Sequence, residues 1–182
     1  MVVGIRGLGL IGGSFEKAFL RAGHNVLNLK NATPDRIRSC SLVIVCLPPL
    51  MVAPWIEEHA ADFADDAIVT DAAGVKGVVC DALSALAERS AWTYVGGHPM
   101  AGKERSGYAN ATADLFDGAS MIFTPYAFTP DDAVERLKEV FSGIGVARFA
   151  VTDPARHDEM IAYTSQLAHG VSSAYVRDEL SC

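Results

Sequence analysis

Three observations predict an α/β fold in which helices cover both faces of a mostly parallel sheet. Short apolar runs recur along the chain, each followed by a stretch with apolar residues at three- and four-residue spacing. One run, 42–47, is apolar throughout, the mark of a strand buried on both faces. The first run leads directly into a glycine-rich loop that opens a helix. With 182 residues, 50% of them hydrophobic, the chain can bury a full core, so one domain with an appendage is expected.

The first strand, Val2–Arg6, runs into Gly7-Leu8-Gly9-Leu10-Ile11-Gly12-Gly13-Ser14. Past Gly12 the pattern is helical, with Phe15, Ala18, Phe19 and Ala22 on one face and Gly23 as the stop. Strand, G-x-G-x-x-G and helix, in that order, form the setting a dinucleotide needs. Gly7 makes the tight turn, Gly9 lets a pyrophosphate approach the backbone, and Gly12 lets the helix pack on the strand. The helix N-terminus favours the phosphate charge. Gly7, Leu8, Gly9, Leu10, Ile11 and Gly12 are therefore candidate cofactor-binding residues, and the α/β fold is expected to be Rossmann-type. Arg6 has no evident reason in a strand buried on both faces.

A second strand over 25–29 should end in an acid for the adenosine ribose, but Lys30 stands there, followed by Asn31, Thr33 and Arg36. Without the acid and with cations nearby, NADP is as acceptable as NAD and somewhat favoured, with Lys30 as a candidate contact. The alternative is that Lys30 and Arg36 are simply solvated. Only about a dozen residues link Lys30 to Ser41, close to the minimum for a parallel crossover. A helix and strand usual in this region are expected to be shortened or missing.

The run 42–47 ends at Pro48-Pro49, where Leu47 and Pro48 would line the nicotinamide side. A helix is predicted over 52–63, with Pro54 near its start. A strand over 67–70 then delivers Asp71, a further candidate cofactor residue, to the C-terminal edge. Segment 71–77 turns into a helix over 78–89, and a strand follows over 92–95. Next comes Gly96-Gly97-His98-Pro99-Met100-Ala101-Gly102, read as a loop in which Pro99 holds His98 extended. The glycine loop, Pro48, Asp71 and His98 all leave C-terminal strand ends, where open α/β sheets bind ligands. A histidine so placed can exchange protons near pH 7, which makes His98 the candidate catalytic residue. The plainer alternative is a histidine that fills a loop by hydrogen bonds.

Residues 103–107 form a charged loop in which Lys103 or Arg105 could meet a substrate carboxylate, although a solvated face is the commoner meaning. A turn at 115–118 precedes the strand Ser120–Thr124. Thr129 is expected to cap a helix whose first residue is Pro130 and which runs to about Ser142. The last strand is predicted over 146–151. Asp153-Pro154 then opens a helix running almost to the end of the chain. On that helix Gln166 and His169 share a face. His157 reads as a capping or packing residue, and no His-Glu-x-x-His pattern suggests a metal. Met160, Ile161, Leu167, Val171, Tyr175 and Val176 form an apolar stripe that needs the first domain or a partner subunit to cover it.

A formal net charge of −7 argues against nucleic acid as a general partner but leaves room for a small anionic ligand. Cys40, Cys46, Cys80 and Cys182 show no paired metal spacing and read as reduced thiols of a cytoplasmic protein. There is no signal-peptide pattern and no apolar run of membrane length, so no membrane partner is expected.

Together these motifs resemble the prephenate/arogenate dehydrogenase family of tyrosine biosynthesis. The matching pieces are the glycine loop 7–14, Asp71–Gly77, the GHPMAGKERSG segment 97–107, residues 114–125, His157-Asp158 and the TSQLAH segment 164–169. The resemblance implies a nucleotide-binding domain over 1–151. Residues 152–182 would be the first helix of a helical dimerisation domain that extends further in the family, making the protein a homodimer. It also implies the oxidative decarboxylation of prephenate to 4-hydroxyphenylpyruvate, or of arogenate to tyrosine, with hydride passing to NAD or NADP. A relative that binds the dinucleotide with little turnover is the remaining alternative. By motif, His98 matches the histidine that accepts the proton of the substrate ring hydroxyl, while Gln166 and His169 match residues lining the substrate pocket. The family serine that partners the catalytic histidine is replaced here by Gly74.

Overall fold

The computed structural model describes residues 1–163, so Gln166, His169 and the TSQLAH segment lie outside the described residues. Seven strands form one sheet in the order β2-β1-β3-β4-β5-β6-β7. They are β1 (Val2–Arg6), β2 (Asn25–Asn28), β3 (Leu42–Val45), β4 (Ile68–Asp71), β5 (Thr93–Met100), β6 (Ser120–Thr124) and β7 (Arg148–Val151). Every pairing is parallel except that between β5 and β6. The helices are α1 (Leu10–Arg21), α2 (Pro34–Arg38), α3 (Pro49–Glu58), α4 (Gly77–Arg89), α5 (Asp131–Ser142) and α6 (Pro154–Ile161).

The period-2 alternation of strand side chains splits the core into two layers. Val43, Val45, Val69 and Tyr94 point to one face and pack with Val52, Ile56, Val79 and Leu83 of α3 and α4. Leu42, Ile44, Ile68 and Val95 point to the other, against Phe15 and Phe19 of α1 and Leu137 and Phe141 of α5. A strand flanked by helices on both sides has no polar face, which is why 42–45 is apolar throughout. Arg6 has an account here: it is the last residue of β1, only half-buried at the sheet edge.

The short link after β2 has the expected consequence. The five-residue α2 is all that fills it, and β2 stands at the edge with no further strand beyond it among the described residues. One helix cap differs from the sequence reading and the next agrees with it. Thr129 does not cap α5; its hydroxyl accepts from the Tyr126 N–H at 2.9 Å, and Pro130 takes the cap position. At the next helix Asp153 does cap, accepting from the Arg156 N–H at 2.9 Å, with Pro154 in the first turn.

The larger correction concerns His98. The segment after Val95 is not a loop: β5 continues to Met100, leaving its parallel partner β4 at Val95 and pairing antiparallel with β6 from Gly96 onward. His98 stands opposite Ile122. Strand pairing, rather than a free turn, holds it extended, and Pro99 is tolerated because β4 has already ended beside it.

Candidate functional site

The strand order reverses at β1, whose neighbours are β2 on one side and β3 on the other. Such a switch point opens a crevice at the C-terminal strand ends. The glycine loop forms one wall. Gly7 has φ +98°, and a Cβ there would meet the Cys46 carbonyl oxygen at 2.3 Å. A Cβ on Gly12 would meet the Gly7 carbonyl oxygen at 1.9 Å, so both glycines are demanded by the protein itself. Gly9 differs: among the described residues a Cβ there would meet nothing within 4 Å. Its bareness serves no contact inside the protein, as expected where a ligand backbone approaches. Gly9 is also the N-cap of α1 and supplies no side-chain cap, so the first N–H groups of the helix remain available to an anion. Leu8, Leu10 and Ile11 are half-buried around this opening. Leu47, half-buried, and the exposed Pro48 follow β3 on the facing side. These residues fit a dinucleotide pyrophosphate. Lys30 is exposed just past β2, where its N–H is held by the Asn28 side chain at 2.9 Å, and Arg36 is exposed on α2.

Asp71 departs from expectation. It is fully buried rather than presented at the edge. One oxygen accepts from the Tyr94 hydroxyl at 2.8 Å and the Gly97 N–H at 3.1 Å. The other accepts from the Ala73 N–H at 2.9 Å and from the Lys76 ammonium. With its acceptor capacity spent inside, Asp71 is a structural post and offers no carboxylate to a cofactor. Lys76, also fully buried, donates in addition to the Gly97 carbonyl at 2.6 Å, the peptide immediately before His98. A buried lysine–aspartate pair sits beneath the histidine, and the sequence reading did not find it.

His98 is partly open, and its Nδ1 lies 2.9 Å from Nε2 of His157 on α6. His157 is 1% exposed, and its Nδ1 lies 2.7 Å from Oδ1 of Asp158. Asp158 in turn accepts from the backbone N–H groups of Lys76 at 2.7 Å and Gly77 at 2.8 Å, at the start of α4. Burial pulls the Asp158 carboxyl up, but the two backbone donors and His157 outweigh it and hold the group below the usual carboxylate range. Burial, then the neighbouring His157 and Lys76, brings His98 down to about 4 against the opposing pull of Asp71 and Asp158. The ring is therefore neutral at pH 7 and able to accept a proton. The adjacent pair His157-Asp158 was visible in the chain, but nothing local marked it as belonging to the His98 site.

Gly74 stands on the other side of the ring, where a Cβ would lie 3.6 Å from His98 Nε2. This is ordinary contact distance, so a serine would fit there, and with glycine in its place Nε2 has no hydrogen-bond partner among the described residues. Lys103 is exposed and its ammonium donates to the Thr112 hydroxyl at 2.9 Å and the Asn110 carbonyl at 3.3 Å, which tethers the charged loop to the 108–112 turn. Among the described residues no cluster of His, Cys, Asp or Glu is arranged to hold a metal, and no helix is long and apolar enough to cross a membrane.

Comparison with known proteins follows this geometry. The family model described as "Prephenate dehydrogenase, nucleotide-binding domain" matches residues 10–150. The chain is 30% identical to the prephenate dehydrogenase of Bacillus subtilis, over 94% of this chain and 52% of that protein. The chain thus spans about half the length of that relative. Arogenate dehydrogenase from Synechocystis superposes with a TM-score of 0.86 at 28% identity, covering 98% of this chain and 69% of that one. Prephenate dehydrogenase from Aquifex aeolicus, solved with hydroxyphenyl propionate and NAD+, gives 0.83 at 27% identity, with coverage of 98% and 68%. Because that family model spans most of the chain, glycine-loop helix and histidine strand included, the chain belongs to the prephenate dehydrogenase family through its nucleotide-binding domain.

Proposed function

We propose that this chain binds NAD or NADP in the crevice between the glycine loop and Leu47-Pro48 and carries the proton-accepting half of a prephenate or arogenate dehydrogenase. The observation that carries the reading is His98: a neutral imidazole at the same sheet edge as the bare Gly9, its Nε2 without a hydrogen-bond partner among the described residues. The bound dinucleotide would supply the hydride acceptor. His98 accepts the proton of the ring hydroxyl as that carbon becomes a ketone, and loss of carbon dioxide then restores an aromatic ring.

The substrate is a small carboxylate-bearing anion. Lys103, Gln166 and His169 remain candidate contacts to it by motif. A homodimer contact through the C-terminal helix rests on the apolar stripe Met160, Ile161, Leu167, Val171, Tyr175 and Val176 read from the sequence. A biosynthetic role of this kind supports a cytoplasmic location. The presence of Lys30 where an acid is usual supports NADP somewhat over NAD.

The test is reduced-nicotinamide formation by the purified chain with each substrate against each cofactor, beside calorimetric cofactor binding, on the native sequence and on His98→Asn. Turnover in one combination, lost about 10²- to 10⁴-fold in His98→Asn with cofactor affinity retained, is expected. Equal loss of turnover and affinity would remove His98 from the role of base. Cofactor binding without turnover in any combination would leave a dinucleotide-binding relative.

A further inference from the structure

We propose that Asp158, acting through His157, selects the tautomer of His98 and is a positioning residue for its proton transfer, a duty carried from the Nδ1 side because Gly74 leaves the Nε2 side bare. The inference deepens the reading of His98 as the base and rests on it.

The chain of hydrogen bonds has one direction at rest. Asp158 is an acceptor at every contact: Oδ1 takes the Lys76 N–H and faces His157 Nδ1, and Oδ2 takes the Gly77 N–H. A carboxylate fixed at a helix start by backbone donors has no proton to give. His157 Nδ1 must therefore donate. In the neutral ring this leaves the lone pair on Nε2, which faces His98 Nδ1 at 2.9 Å. His98 Nδ1 must then donate as well, and the His98 lone pair is left on Nε2. That nitrogen is the one beside Gly74, where no described residue bonds the ring.

The same bonds give the proton somewhere to go. When the substrate O–H bond breaks and an N–H bond forms at His98 Nε2, the Nδ1 proton can pass to His157 Nε2. The positive charge then rests on His157 beside the Asp158 carboxylate, and the reverse shift resets the pair when the proton leaves through Nε2. A ring that resists charging is thereby made a workable base, because the charge moves to His157 beside a carboxylate.

In the Ser-His-Asp triad of serine proteases the orienting carboxylate fixes the imidazole tautomer in the same sense, and its replacement by asparagine costs about 10⁴ in turnover by selecting the wrong one. Here Asp158→Asn, with its amide nitrogen in the Oδ1 place, presents an N–H to His157 Nδ1 and keeps the Gly77 N–H on its oxygen, giving up the Lys76 bond. Both rings would then reverse, leaving His98 protonated at Nε2.

The experiment is nitrogen NMR of the chain labelled with ¹⁵N-histidine at pH 7.5, with His98 assigned by the signal lost in His98→Asn. The native protein should show His98 protonated at Nδ1 and bare at Nε2, and Asp158→Asn should invert this. Should Asp158→Asn not fold, His157→Phe takes its place: with its acceptor removed, His98 should show a mixture of tautomers. A native His98 protonated at Nε2 overturns the proposal, and so does a tautomer unchanged in the variant that folds. Where turnover is measurable, Asp158→Asn should lower kcat by about 10³- to 10⁴-fold with KM little changed, and Gly74→Ser should recover part of it by anchoring the other side of the ring. A native Nδ1–H tautomer with no turnover would support this proposal and count against the dehydrogenase reading alone.

Discussion

Lys76 and Asp71 form an ion pair with no solvent exposure on either side chain, and the same ammonium grips the Gly97 carbonyl ahead of His98. Charge buried at this depth is stable because the carboxylate also accepts from Tyr94, Gly97 and Ala73 and the ammonium also donates to the Gly97 carbonyl. The pair ties the end of β4, the turn into α4 and the point where β5 changes partner into one rigid block. The catalytic candidate is thus mounted on a buried, multiply bonded ion pair rather than on a free loop.

Removing one member should be costly. Lys76→Met leaves the Asp71 carboxylate buried without its cation, and a loss of about 3–5 kcal/mol in unfolding free energy is expected from urea denaturation. A loss below about 1 kcal/mol would show that the carboxylate is relieved by other means and that the pair is not what holds this edge together.

The glycine loop separates ligand contacts from structural ones. Gly9→Ala meets nothing in the protein, and its φ of −90° suits any residue, so the unfolding midpoint should not move. Dinucleotide affinity should fall at least about tenfold, which is about 1.4 kcal/mol. Gly12→Ala should instead damage folding, because its methyl group would meet the Gly7 carbonyl oxygen at 1.9 Å. Unchanged affinity in Gly9→Ala by calorimetry would move the pyrophosphate away from this loop.

Lys30→Asp should shift the ratio of NADP to NAD affinity toward NAD by at least about tenfold, as a cation is exchanged for an acid that can hold the ribose hydroxyls. An unchanged ratio would put Lys30 outside the ribose pocket.

Acid should unfold the protein partly through His98. The ring titrates near 6.5 when unfolded and at about 4 when folded, because burial first, then His157 and Lys76, oppose its charge while Asp71 and Asp158 favour it. Between those values the unfolded chain binds a proton that the folded one does not. Stability is therefore lost as pH falls through that window, at most about 1.4 kcal/mol per pH unit from this group. Urea midpoints at pH 7.5, 6 and 5 should fall more gently in His98→Asn. Parallel slopes would show that His98 does not carry the effect.

What the sequence by itself determined is the part governed by neighbours in the chain. The first strand, the glycine turn and the helix start are written within a dozen or so positions, since turn conformation and helix capping depend on adjacent residues. The order of strands and helices and the shortened link after β2 were legible for the same reason. Tertiary structure decided what those residues face. His98 lies in a strand only because β6 pairs with it across the sheet, opposite Ile122. Asp71 turns inward because Lys76, Tyr94 and the Gly97 N–H converge on it, although an aspartate at a strand end can point either way. His157 reaches His98 across 59 residues of chain. Periodicity reports which face of an element is apolar, but which polar groups meet is fixed by the packing of distant elements, and in this protein the chemistry resides in those meetings.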